Sequence, residues 1–107
     1  MIANGAVEVQ LLEAAGELDL ASVAILQRAL ASLRERGGVR LLLDLHRLAF
    51  IDSTGLTALY QASSASERLA LVVQPDSQVA RTLAICGFDQ VLPTFSARAE
   101  ALESLAR

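Results

Sequence analysis

A single α/β domain is the fold this sequence predicts, with a mixed, mostly parallel sheet of about four strands and about four helices. Three observations predict it. The chain has 107 residues, enough for one core, whereas two separate cores would each be marginal. Short apolar runs alternate with stretches whose apolar residues recur at three- and four-residue steps, and right-handed crossovers set successive strands of such a series parallel. Leucine and alanine dominate the 53% hydrophobic residues while aromatics supply only 4%, which favours closely packed helices over an all-β sandwich. With only 20% charged residues the chain is too apolar for a disordered segment.

Val7, Val9 and Leu11 alternate with Glu8 and Gln10, the period of a half-buried strand, placed over residues 6–15. Gly16-Glu17-Leu18-Asp19 breaks this pattern. Val23, Leu26, Leu30 and Leu33 then form the stripe of an amphipathic helix from about Leu20 to Arg36, with Asp19 favouring its N-terminus and Gly37-Gly38 stopping it. Arg40 to Leu45 is nearly continuously apolar, as a strand covered on both faces would be. Asp52-Ser53-Thr54-Gly55 precedes a helical stripe of Leu56, Leu59 and Tyr60, which Ser63 could continue, so the tetrapeptide stands at a helix N-terminus. Leu69 to Val73 reads as another buried strand, and Pro75-Asp76-Ser77 introduces a third helix through Val79, Leu83 and Cys86 that Gly87 ends. Gln90 to Phe95 is a last short strand despite Pro93, and Ser96 precedes a terminal helix through Ala99, Leu102 and Leu105. No linker, repeat or low-complexity tract interrupts the series.

The net charge of −3 provides no field that would concentrate nucleic acid or anionic lipid. No apolar stretch approaches the roughly 20 residues of a membrane span, and Met1 to Gly5 lack the look of a secretory leader, so a cytoplasmic location is expected. One cysteine, Cys86, makes no internal disulfide, and one histidine, His46, builds no zinc cluster. Lysine is absent, which removes phosphate-loop and Schiff-base lysines. No cofactor or metal is expected.

Chemistry concentrates at Asp52 to Gly55, because the carboxyl ends of strands, where loops run into helix N-termini, form the functional surface of such sheets. Unpaired N–H groups there favour an anion, so a phosphate on Ser53 would be accommodated; the plainer duty of Ser53 is that of a helix cap. Asp52 orients the Ser53 hydroxyl or serves as a turn residue, and Asp19 caps the first helix or joins a partner surface. Asp44 is odd inside an apolar strand and needs a hydrogen-bond partner if buried; stabilising the loop that presents Ser53 is one use for it. His46, Ser53 and Asp44 or Asp52 nominally make a nucleophilic triad, but no Gly-x-Ser-x-Gly turn accompanies them. His46 reads as a solvated or packing residue and Cys86 as part of the core.

Gly16-Glu17-Leu18-Asp19, Leu42-Leu43-Asp44-Leu45 and Phe50-Ile51-Asp52-Ser53-Thr54-Gly55-Leu56, with the Val79 to Leu83 and Gly87-Phe88 pattern, resemble the STAS domain family over nearly the whole chain. The resemblance is strongest to bacterial anti-sigma factor antagonists. It implies a non-enzymatic binding module whose switch serine, here Ser53, is phosphorylated by an anti-sigma factor that is also a serine kinase. The unphosphorylated form holds that partner and frees a sigma factor, and a phosphatase resets the phosphoprotein. Asp19, Asp52, Ser53, Thr54 and Gly55 would form the partner-binding surface. Other STAS domains are accessory subunits of transport ATPases or parts of stress-sensing complexes; a free-standing domain that retains Ser53 leans towards the antagonists. Family members usually carry an additional N-terminal strand, for which only Met1 to Gly5 remain here. A shortened strand would leave a sheet edge on which a second copy could pair as a homodimer.

Overall fold

The computed structural model describes residues 8–107. Its elements are β1 (Val9–Leu18), α1 (Val23–Arg36), β2 (Arg40–Ile51), α2 (Ser53–Ala65), β3 (Arg68–Val72), α3 (Gln78–Ile85), a 3-10 turn (Phe88–Gln90), β4 (Thr94–Phe95) and α4 (Arg98–Ala106). The strands lie in the order β1-β2-β3-β4, and every neighbouring pair is parallel. The four described strands thus form the parallel part of the expected sheet. The additional N-terminal strand and the first residues of the expected 6–15 strand lie outside them.

Successive crossovers in one direction put α1, α2 and α3 on one face of the sheet and leave α4 for the other. Alternation along the strands then divides the core. Leu41, Leu43, Leu45, Leu48 and Ile51 of β2 pack with Leu26, Leu30 and Leu33 of α1, Leu59 and Ala62 of α2, and Val79 and Leu83 of α3. Leu42, Ala70 and Val72 face the other way and are covered by Ala101 and Leu105 of α4. Burying each of the larger side chains stabilises the fold by roughly 1.5–3 kcal/mol before chain entropy is counted.

Several boundaries differ from the sequence reading for local reasons. Gly16 and Glu17 do not end β1, because register shifts between Glu13 and Ala15 and between Gly16 and Glu17 absorb the irregularity, with Gly16 at φ 83°. Residues Asp19 to Ser22 form a turn, so α1 begins at Val23 rather than Leu20. β2 continues beyond Leu45 to Ile51. The stripe of α2 is completed by small residues, Ala58, Ala62 and Ala65, while Tyr60 is 62% exposed and Ser63 faces solvent. Cys86 caps the end of α3 and is exposed instead of buried. The last strand shrinks to Thr94–Phe95, joined to β3 through carbonyls that accept from the Leu71 and Val73 N–H groups; one of them belongs to Pro93, which has an acceptor to give but no donor. In α4 the buried positions are Ala101 and Leu105, and Leu102 is exposed.

Candidate functional site

β1 and β2 end side by side, with Leu18 opposite Ile51, so the loops that follow them are neighbours at the carboxyl edge of the sheet. The Asp52 N–H donates to the Leu18 carbonyl at 3.4 Å. Asp52 itself has extended backbone angles, and its Oδ1 accepts the Gly55 N–H at 3.0 Å, the geometry of a helix cap. The cap of α2 is thus Asp52 and not Ser53. Ser53 is the first residue of the helix and lies exposed, relieved of the duty that sequence alone assigns most readily to it. Its carbonyl accepts the Thr57 hydroxyl at 3.0 Å, while Thr54 is half-buried.

Gly55 is buried where α2 meets the end of β1. A Cβ there would stand 2.4 Å from the Leu18 carbonyl oxygen and 2.6 Å from Ile51 Cγ1, so only glycine permits this approach. Gly55 acts beneath the surface, as the joint that lets the first turn of α2 lie against the end of β1. In that loop the half-buried Asp19 accepts the Ala21 and Ser22 N–H groups at 3.1 Å each. The Ser22 hydroxyl donates to the Glu17 carbonyl at 2.7 Å and accepts the Asp19 N–H at 3.1 Å. Asp19 therefore organises the turn before α1, beside the loop of Ser53.

Gln78, which sequence reasoning missed, supports the site from behind. Its Oε1 accepts the Ile51 N–H at 3.1 Å and its Nε2 donates to the Ile51 carbonyl at 3.2 Å, clamping the residue that precedes Asp52. Sequence held only a local signal, a serine cap followed by a helix, and nothing that pointed to a partner 27 residues away.

Asp44 does not serve the Ser53 loop. Its carboxylate is 3% exposed, accepts the His46 N–H at 2.9 Å and is bound by Arg98 Nε of α4; Arg98 Nη2 also reaches Glu13 at 3.0 Å. The hydrogen bond from Arg98 to Asp44 raises the guanidinium pKa, holding the cation firmly charged. With Asp44 committed to Arg98 and Asp52 to Gly55, the nominal triad is not assembled. No group of three or more potential metal ligands occurs among the described residues. No helix there is long and apolar enough to cross a membrane.

The arrangement is an exposed serine hydroxyl at the positive end of a capped helix, flanked by carboxylates already engaged in shaping two adjacent loops.

Comparison with known proteins follows the same line. An anti-sigma factor antagonist from Mycobacterium paratuberculosis superposes with a TM-score of 0.83 at 20% identity, over 100% of this chain and 91% of that one. The anti-sigma factor antagonist SpoIIAA in its unphosphorylated form matches with a TM-score of 0.70 at 21% identity, over 99% of this chain and 94% of that one. A sulfate transporter family protein from Wolinella succinogenes gives 0.71 at 21% identity, over 92% and 84% of the respective chains. At these identities the likeness is one of fold. No curated protein matches the chain in sequence. The STAS domain profile matches residues 2–101, and the chain belongs to the STAS domain family.

Proposed function

We propose that this chain is an anti-sigma factor antagonist: unphosphorylated, it binds an anti-sigma factor that is also a serine kinase, and phosphorylation of Ser53 breaks that contact. The observation that carries the reading is the division of labour at the α2 N-terminus, where Asp52 caps the helix and leaves Ser53 exposed on its first turn. The likeness in fold to anti-sigma factor antagonists supports it.

A phosphoserine carries about −1.5 to −2 charges at neutral pH. The α2 N-terminus offsets some of that charge by roughly 0.3–1 kcal/mol, so the domain itself tolerates the modification. A partner surface shaped around a neutral hydroxyl between Asp19 and Asp52 does not, because it meets new charge and bulk at the centre of the contact. The switch therefore needs no refolding. Asp19, Asp52 and Thr54 frame the contact surface and Gly55 shapes it from within. A phosphatase resets the cycle, the module acts in the cytoplasm without catalysing a reaction, and a homodimer through the β1 edge is an additional state open to test by solution mass.

Incubation of the full chain with source-cell lysate and ATP, followed by mass-spectrometric mapping, tests the modification. Phosphate on Ser53 that vanishes in Ser53→Ala is the expected result; modification elsewhere only would contradict the assignment. The sulfate transporter likeness favours a second reading, an accessory domain of a transport system that needs no phosphoserine.

A further inference from the structure

We infer that Gln78 is a positioning residue for the switch serine, an inference that rests on the proposal that Ser53 is the modified residue. The strands of the sheet differ in length. β2 pairs with β3 only from Arg40 opposite Arg68 to Asp44 opposite Val72, yet β2 runs on to Ile51. On its other side β1 accompanies it to the end, with Leu18 opposite Ile51. The last residue of β2 thus has a strand on one side only, and its side chain is buried at 1% exposure. Buried backbone groups without partners are costly.

The Gln78 carboxamide takes the place of the missing strand. It accepts from the Ile51 N–H and donates to the Ile51 carbonyl, the two bonds a neighbouring backbone would make. The second Nε2 proton goes to Thr82 Oγ1 at 3.0 Å, one turn along α3, so the amide has one acceptor and two donors in use and a single orientation that satisfies them. The position of Gln78 is itself set locally. Asp76 adopts a left-handed φ of 64°, and the Ser77 hydroxyl accepts the Ala80 N–H at 3.0 Å, which fixes where α3 starts and makes Gln78 its first residue.

Ile51 is followed directly by the cap Asp52 and by Ser53. A side chain that fixes the Ile51 peptide groups sets the direction in which the chain enters the cap, and so the direction of the Ser53 hydroxyl. It also ties that direction to α3. A phosphoacceptor displaced by about 1 Å loses on the order of a hundredfold in transfer rate, so even partial release of this clamp is legible in kinetics.

The test uses the full chain with Gln78→Met, which removes all three bonds at similar size, and Gln78→Glu, which keeps an acceptor for the Ile51 N–H but loses the donors. Amide exchange is read at Ile51 and Ser53 by NMR, with Leu43 in the middle of β2 as reference, and the initial rate of Ser53 phosphorylation is read with ATP and source-cell lysate. Q78M should accelerate exchange at Ile51 by about tenfold or more and leave Leu43 unchanged, while Q78E keeps Ile51 slow. Ser53 phosphorylation should fall by about tenfold in Q78M. Equal acceleration at Leu43, unchanged exchange at Ile51, or fast exchange with an undiminished phosphorylation rate each overturn the positioning role. A wild-type chain that acquires no phosphate overturns the switch and the positioning role together, whereas unchanged Ile51 exchange in Q78M beside a phosphorylated wild type overturns the positioning role alone.

Discussion

Asp52 and Gly55 show how few atoms set up the serine between them. Asp52→Ala deletes the acceptor for the Gly55 N–H and should cost about 1 kcal/mol, whereas Asp52→Asn keeps a capping oxygen and should cost much less. Chemical denaturation resolves the two. Gly55→Ala places a methyl group against the Leu18 carbonyl and Ile51, which are backbone and core, so neither yields cheaply. A loss of about 1–3 kcal/mol is expected, and a neutral result would mean that α2 shifts freely on the sheet. Much of this is legible in sequence: the tetrapeptide stands at a helix N-terminus, while Asp19, expected to cap the first helix or join a partner surface, organises the turn that precedes it. The sharing of duties within the tetrapeptide was not, because Asp, Ser and Thr all serve as caps and only the backbone angles choose among them. Tyr60 and Cys86 were misjudged because apolar periodicity marks the side of a helix without saying how wide the covered stripe is.

Among the elements, α4 depends most on polar contacts. It lies alone on its face of the sheet, buries only Ala101 and Leu105 fully, and is held at its start by Arg98 on Asp44 and at its end by Arg40 and Arg68, which donate to the carbonyls of Leu105 and Arg107. Arg98→Met leaves a buried carboxylate without its cation and should lower the melting temperature clearly more than Glu13→Gln, which touches only the exposed arm of the network. Combining Arg98→Met with Asp44→Leu should recover part of the loss, because the orphaned charge is then gone. A double variant less stable than Arg98→Met would show that Asp44 contributes through something besides Arg98. The α4 helix itself is foreseen from Ser96 onwards, and Leu105 of its expected stripe is buried, but Ala101 takes the place of Ala99 and Leu102, which are exposed. The anchoring of Asp44 by Arg98, 54 residues later, left no trace in local pattern, although the need for some partner did.

Across the whole molecule, the parallel order β1-β2-β3-β4 collects the ends of β1 and β2 and the starts of α1, α2 and α3 at one edge, which is why Asp19, Ser53 and Gln78, from separate parts of the chain, all stand at that edge. The α/β class followed from alternating periods and handedness, since those depend on local residues. Lengths of pairing did not follow, since β3 leaves β2 at Val72 opposite Asp44 while β2 runs on to Ile51, and nothing in the local pattern of either strand marks that point. The core beneath this edge gives it rigidity: Leu59→Ala, at a fully buried position of α2, should cost about 2–5 kcal/mol in denaturant melts. The same rigidity fits the proposed charge-gated contact, in which a phosphate at the exposed Ser53 would alter the surface without disturbing the packing under it. The most direct test is a pull-down from source-cell lysate with wild-type and Ser53→Asp chains as parallel baits, the captured proteins being identified by mass spectrometry. An anti-sigma factor with serine kinase activity held by the wild type and lost with Ser53→Asp is the expected result; a transport ATPase held equally by both baits would overturn the proposed switch.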